Sequence, residues 1–201
     1  SRKAETCWRF GGPEMRPNGF YRRNLDFVRS LGVPVVAHGV NLSVGTNHPA
    51  DEGRFSRWLD WIAQTHGDFN FLWYSDHFGQ TIIGEEFVAL PMPTPLDDER
   101  MEKMRARLDR LAGVVGRVGL ETTAMPFWLG DPESEPAALT RATAGHHIVL
   151  DLHNLHVMGL SGGLDPSAFV AGLPLERVVE IHLSGGSLSD PEWLPSRTQW
   201  P

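Results

Sequence analysis

The chain has a single cysteine, Cys7, among 201 residues. That rules out a disulfide framework and a zinc–thiolate site, and it fits a reducing cytoplasm. No apolar run reaches the length of a membrane span, and residues 1–20 lack the apolar core of a secretory signal. A cytoplasmic location with no membrane partner is therefore expected. Lys and Arg form no cluster able to hold phosphates, and the formal net charge is −7, so nucleic acid is not an expected partner. There is no GxGxxG fingerprint, no Walker loop and no GxSxG elbow, and Cys7 has no histidine partner in its sequence context.

What the chain does have is five short apolar runs, each ending in an imidazole or a carboxylate. They are 33–38 ending at His38, 69–77 ending at Asp76-His77, 117–121 ending at Glu121, 148–154 containing Asp151, His153 and Asn154, and 178–182 ending at His182. Each is short, apolar, often β-branched and flanked by turn formers, as buried parallel strands are. His, Asp and Glu make up 34 of 201 residues, so one such ending means little, whereas five in succession point to a common pocket. His38, His77, Glu121, His153 and His182 follow one another at intervals of 39, 44, 32 and 29 residues, about one βα unit each.

Helical patterns fill the intervals. Tyr21, Leu25 and Val28 share a face in 18–31, and Phe55, Trp58, Leu59 and Ile62 form a stripe in 51–66. Met101, Met104, Leu108, Leu111 and Val115 recur at helical spacing in 97–115, behind a cap at Asp97 or Asp98. Shorter helices are expected over 134–144 and from Asp165-Pro166 to about 172. Leu90–Pro95 reads as a stiff loop on the active-site side, a wall or lid, or equally a spacer into the long helix. Alternation of this kind predicts an α/β fold with a parallel sheet. The expected architecture is a TIM (β/α)8-type barrel, with an open doubly wound sheet as the alternative. A whole barrel takes about 250 residues. Residues 1–201 are therefore expected to be one metal-binding barrel domain, a fragment lacking the first strand and the last strands.

Parallel strands deliver their C-terminal ends to one face, where active sites sit. Imidazole plus carboxylate suits iron or manganese, and zinc takes the same ligands. Within 150–154 the choice stays open. Along a strand, Asp151 and His153 share a face, while a bend near His153 turns Asn154 inward. His146 and His147 precede their strand and belong to the opposite end, and His48 and His66 read as surface residues. Glycines follow two of the strand ends, in His38-Gly39 and in Ser184-Gly185-Gly186-Ser187, where backbone can approach a ligand closely.

His38-Gly39-Val40-Asn41-Leu42-Ser43, Ser75-Asp76-His77-Phe78, Leu120-Glu121-Thr122, Leu150-Asp151-Leu152-His153-Asn154 and Glu180-Ile181-His182-Leu183-Ser184-Gly185 occur in this order over about residues 20–190. In these segments the chain resembles the DUF692 family of multinuclear non-haem iron-dependent oxidative enzymes, which includes methanobactin-type and thiaglutamate-type peptide-modifying members. The resemblance implies a TIM barrel with two or three irons in mixed Fe(II)/Fe(III) states. It also implies O2 as co-substrate and a precursor peptide as substrate, modified at a residue, often cysteine, with a peptide-binding protein as a further partner. It carries iron-ligand roles to His38, His77, Glu121 (a bridge), Asp151 or Asn154, and His182, with His153 in place of Asn154 as the variant. Asp76 matches an acidic residue that supports the ligands. Thr122 and Gly186 depart from the family's usual asparagine and histidine, and its later segment with further His, Asp and Glu ligands has no counterpart here. Phe78, Phe127 and Trp128 are candidates to line a peptide groove, or else pack under loops. Two other functions fit the residues: a xylose-isomerase-like metal-dependent isomerase or hydrolase on the same barrel, and a non-catalytic metal-binding module.

Overall fold

The computed structural model describes residues 19–184 apart from 85, 126, 162 and 163. Cys7 and the Gly185-Gly186-Ser187 turn lie outside the described residues. The elements run α1 (Gly19–Leu31), β1 (Val35–His38), α2 (Asp51–Phe69), β2 (Phe71–His77), β3 (Gln80–Ile83), β4 (Glu86–Met92), α3 (Asp98–Val115), β5 (Val118–Glu121), α4 (Glu135–Ala142), β6 (His147–Asp151), α5 (Leu152–Ser161), α6 (Pro166–Ala171) and β7 (Val178–His182).

β1, β2, β5, β6 and β7 pair in that order as one parallel sheet, and helices fill the connections. This is the arrangement of an incomplete (β/α)8 barrel. No antiparallel pair joins these five strands, so their C-terminal ends share one edge. The register sets His38 beside Ser75, His77 beside Glu121, and Asp151 beside His182.

The helices form where the apolar spacing puts them. Met101, Met104, Leu108, Leu111 and Val115 of α3 are all buried, and the Asp97 side chain caps its first turn by accepting the Arg100 N–H at 2.9 Å. Leu108 and Leu111 are fully buried, so truncating either to alanine costs about 2–5 kcal/mol. α2 runs two residues past Gly67 and stops where Asn70 turns left-handed at φ 52°. In α1, Tyr21 and Leu25 pack with Phe69, and the Tyr21 hydroxyl donates to Asp68 at 2.6 Å.

Two segments depart from the sequence reading. Leu90–Met92 is not loop but the end of β4, which pairs antiparallel with β3 in a separate ribbon. Pro91 is tolerated there because a two-stranded ribbon has unpaired edges on both sides. The ribbon is fastened to the loop after β1, where the Ser43 hydroxyl accepts the N–H groups of Thr81 (2.7 Å) and Ile82 (3.0 Å). The second departure is the run 148–154. The strand ends at Asp151 and α5 begins at Leu152, because Asp151 Oδ1 accepts the Asn154 N–H at 2.8 Å and so caps the helix. Strand alternation therefore does not extend to His153.

Candidate metal centre

Each strand of the sheet delivers one donor to the common edge. Glu121, whose side chain is 3% exposed, lies in the middle. Its Oε2 is 2.9 Å from His38 Nε2 and 3.2 Å from His77 Nε2, and those two nitrogens are 3.1 Å apart. Its Oε1 is 2.7 Å from His182 Nδ1, which in turn lies 3.7 Å from Asp151 Oδ2. Two groups with metal-ligand geometry result among the described residues, His38–His77–Glu121 and Glu121–Asp151–His182, with Glu121 common to both.

The electrostatics follow from that crowding. Burial alone would push the Glu121 carboxyl up, but His38, His77 and His182 outweigh it and hold the group at about 2. Glu121 Oε2 is nonetheless buried without a hydrogen bond of acceptable geometry. Two ring nitrogens and one carboxylate oxygen converge on a point that no proton arrangement satisfies fully, whereas a cation would engage all three as lone-pair donors. The donor set, imidazole plus carboxylate, fits iron, manganese or zinc. Burial raises the Asp151 carboxyl, and the neighbouring Glu121 adds to the rise while the Asn154 N–H opposes it.

The β1 turn is shaped from behind. Asp76 is buried on the opposite side of β2, where Oδ1 accepts the His77 N–H at 2.8 Å and Oδ2 accepts the Leu42 N–H at 3.2 Å. Burial raises it to about 6 against the pull of His38 and those two hydrogen bonds. Gly39 passes directly over this residue, and a Cβ there would lie 2.4 Å from Asp76 Oδ2 and closer still to the Tyr74 hydroxyl. Further out, buried Asp51 pairs with Arg54 and, at 2.8 Å, with Arg107, while Arg54 also donates to the Leu42 carbonyl at 2.7 Å. These contacts fix the loop that carries His38 out of its strand.

The remaining candidates divide by position. Asn154 lies in the first turn of α5, where its Nδ2 donates to the Thr122 carbonyl at 3.0 Å, and His153 lies beside it, half-buried. Thr122 is fully buried and its hydroxyl accepts the Asp151 N–H at 2.8 Å, which ties β5 to β6 just below the cluster. His146 pairs with Asp109 at 2.7 Å and His147 opens β6, so both lie at the opposite strand ends. His48 is exposed, but His66 is half-buried because its Nδ1 accepts the Phe71 N–H at 3.1 Å. Phe78 is 1% exposed and part of the core, so it lines no open groove; Phe127 is 45% exposed, and Trp128 donates its N–H to buried Glu135 at 3.0 Å.

Three polar neighbours of the cluster carry no role in the sequence reading. Ser75 Oγ is 2.8 Å from His38 Nδ1, Glu180 Oε1 is 3.1 Å from His182 Nε2, and the Trp73 N–H donates to Glu180 Oε2 at 2.9 Å. The signal for all three was alternation. Trp73, Ser75 and His77 share one side of β2, as Glu180 and His182 share one side of β7.

A family model described as "RiPP precursor modification enzyme MbnB/TglH/ChrH" matches residues 13–195. A UPF0276 protein of Anaeromyxobacter sp. (strain Fw109-5) is 32% identical over 183 residues, which cover 86% of this chain and 61% of that protein. One from Neisseria meningitidis serogroup B is 27% identical, covering 96% of this chain and 70% of the relative. The chain thus spans about three-fifths of the length of the Anaeromyxobacter relative. Among solved structures, a D-allulose 3-epimerase from Methylomonas sp. superposes with a TM-score of 0.53 at 14% identity, covering 79% of this chain and 55% of the epimerase, a likeness of fold. No helix among the described residues is long and apolar enough to cross a membrane.

Proposed function

The chain belongs to the MbnB/TglH/ChrH family of RiPP precursor modification enzymes, and from that premise we propose that its converging side chains hold two or three iron ions and serve the O2-dependent oxidation of a residue, cysteine in this reading, of a ribosomally made precursor peptide. The observation that carries the proposal is the sharing of Glu121 between two donor groups. A carboxylate with one oxygen toward two imidazoles and the other toward a third is the arrangement a bridging ligand needs.

In this reading His38, His77 and Glu121 Oε2 hold one ion, and Glu121 Oε1, Asp151 and His182 Nδ1 hold a second. Asp151 is the donor from β6, while Asn154 and Thr122 fix the turn that presents it. Iron with open coordination positions supplies the one-electron and O2 chemistry that no side chain here performs alone. The protein's part is to hold the donors and exclude water. Glu121 stays anionic at any physiological pH, Ser75 orients the His38 ring, Asp76 holds the backbone at His77 by accepting its N–H, and the half-buried imidazole edges leave an approach for a peptide side chain.

The test is anaerobic reconstitution with Fe(II), then addition of a cysteine-bearing peptide encoded beside the gene, any peptide-binding partner protein, and O2. More than one equivalent of iron and an O2-dependent change in peptide mass are expected. An unchanged peptide mass with iron loaded would transfer the site to the isomerase or hydrolase reading. Failure to bind metal at all would leave the histidines a structural role.

A further inference from the structure

His182 faces carboxylates with both of its ring nitrogens. Nδ1 faces Glu121 Oε1 at 2.7 Å and Asp151 Oδ2 at 3.7 Å, while Nε2 faces Glu180 Oε1 at 3.1 Å. The far oxygen of Glu180 is occupied by the Trp73 N–H at 2.9 Å. Trp73 stands on β2 and Glu180 on β7, with β5 and β6 between them in the sheet. The contact therefore spans the concave side of the barrel wall, directly beneath the cluster.

We propose that Glu180, held by Trp73, is a positioning residue that keeps the His182 proton on Nε2 and so reserves Nδ1 for a cation between Glu121 and Asp151. The inference rests on the reading that this group binds metal. The logic is one of donors and acceptors. Indole N–H is a donor only, so it must meet a Glu180 oxygen as acceptor. The other oxygen of a carboxylate also only accepts, so Nε2 can meet it favourably only as N–H. With Nε2 protonated, a neutral ring has its lone pair on Nδ1, toward Glu121 and Asp151. A carboxylate placed behind a ligating imidazole in this way fixes ring orientation and raises ligand basicity.

Glutamine at 180 turns this logic into a test. Trp73 would draw the amide oxygen, leaving the NH2 group to donate to Nε2. That places the ring proton on Nδ1, where the cation should bind. Removing the indole donor as well frees the amide to rotate and present its oxygen to Nε2–H again. Zinc(II) serves as a diamagnetic probe, with the folding of every variant checked by circular dichroism. In the zinc-loaded wild-type protein, long-range 1H–15N spectra should show His182 ligated through Nδ1 and protonated at Nε2. Zinc affinity at this group should fall about 10–100-fold in Glu180→Gln and recover in part in the Trp73→Phe/Glu180→Gln double variant. A merely structural role for Trp73 would make the double variant worse. Ligation through Nε2, wild-type affinity in Glu180→Gln, or a double variant that binds no tighter than Glu180→Gln would each overturn the inference while leaving the metal centre standing. A wild-type protein that takes up no zinc would overturn the metal reading itself.

Discussion

Replacing Glu121 by glutamine keeps the shape of the side chain and removes its charge. The stability this charge contributes can be worked out from the structure. The carboxyl is held at about 2 against an ordinary value of 4.5, a depression of about 2.5 units and so worth about 3 kcal/mol. The group is almost wholly buried, so solvent screening takes little from that figure. The sign is that of a depressed acid: the contribution is present above the unfolded value of 4.5 and lost as pH falls through about 2. At pH 5, below the ordinary titration of histidine, the metal-free variant should melt about 6–12 °C below wild type. By pH 2 most of the difference should have disappeared. The assay is thermal unfolding in chelator, followed by circular dichroism at both pH values. Equal melting temperatures at pH 5, or a gap that persists at pH 2, would refute the claim that three imidazoles hold this carboxylate. With Fe(II) present, the same variant should lose at least one equivalent of bound metal by elemental analysis.

Glu135 should behave with the opposite sign. Burial raises it to about 7 from an ordinary value of 4.5, opposed by the Trp128 hydrogen bond, so stability is lost as pH climbs from about 4.5 to about 7 and the loss levels off above that; Glu135→Gln should gain up to about 3 kcal/mol at pH 8 and almost nothing at pH 4 in denaturant titrations. Gly39→Ala must displace the Tyr74 hydroxyl and Asp76 carboxylate, and a loss of about 1–3 kcal/mol in the same titrations is expected, with weakened metal uptake because His38 is carried on that turn. Asp51→Asn leaves the Arg54 and Arg107 charges without their buried partner, at a cost of about 3–5 kcal/mol in unfolding free energy. His146→Ala and His147→Ala should leave metal content unchanged by elemental analysis, since both stand at the far ends of the strands.

The strand ends were legible because buried parallel strands leave a coarse mark: a mostly apolar run of four to seven residues that closes on a polar one. His38, His77, Glu121 and His182 could be named from that mark alone, with Asp151 left among alternatives. The alternative at 151–154 stayed open because an aspartate at a strand end reads equally as a donor and as a helix cap, and here the Asp151 carboxylate caps α5 with one oxygen while the other faces His182. The β3–β4 ribbon was hidden by Pro91 and Pro93, which read as loop unless the edge of a two-stranded ribbon is foreseen. The Trp73–Glu180 contact joins residues 107 apart and depends on the curvature of the sheet, which periodicity does not encode.

The order of the donors along the chain also sets a clock. His38, His77 and Glu121 complete the first group, whereas the second must wait for His182, 61 residues later. At about 5–20 residues per second of synthesis, the second group lags the first by about 3–12 s. During that interval the growing polypeptide presents one finished set of donors and a shared carboxylate with half its partners still unmade. The two donor groups that share Glu121 are therefore completed in sequence during synthesis, the second only when β7 has been made.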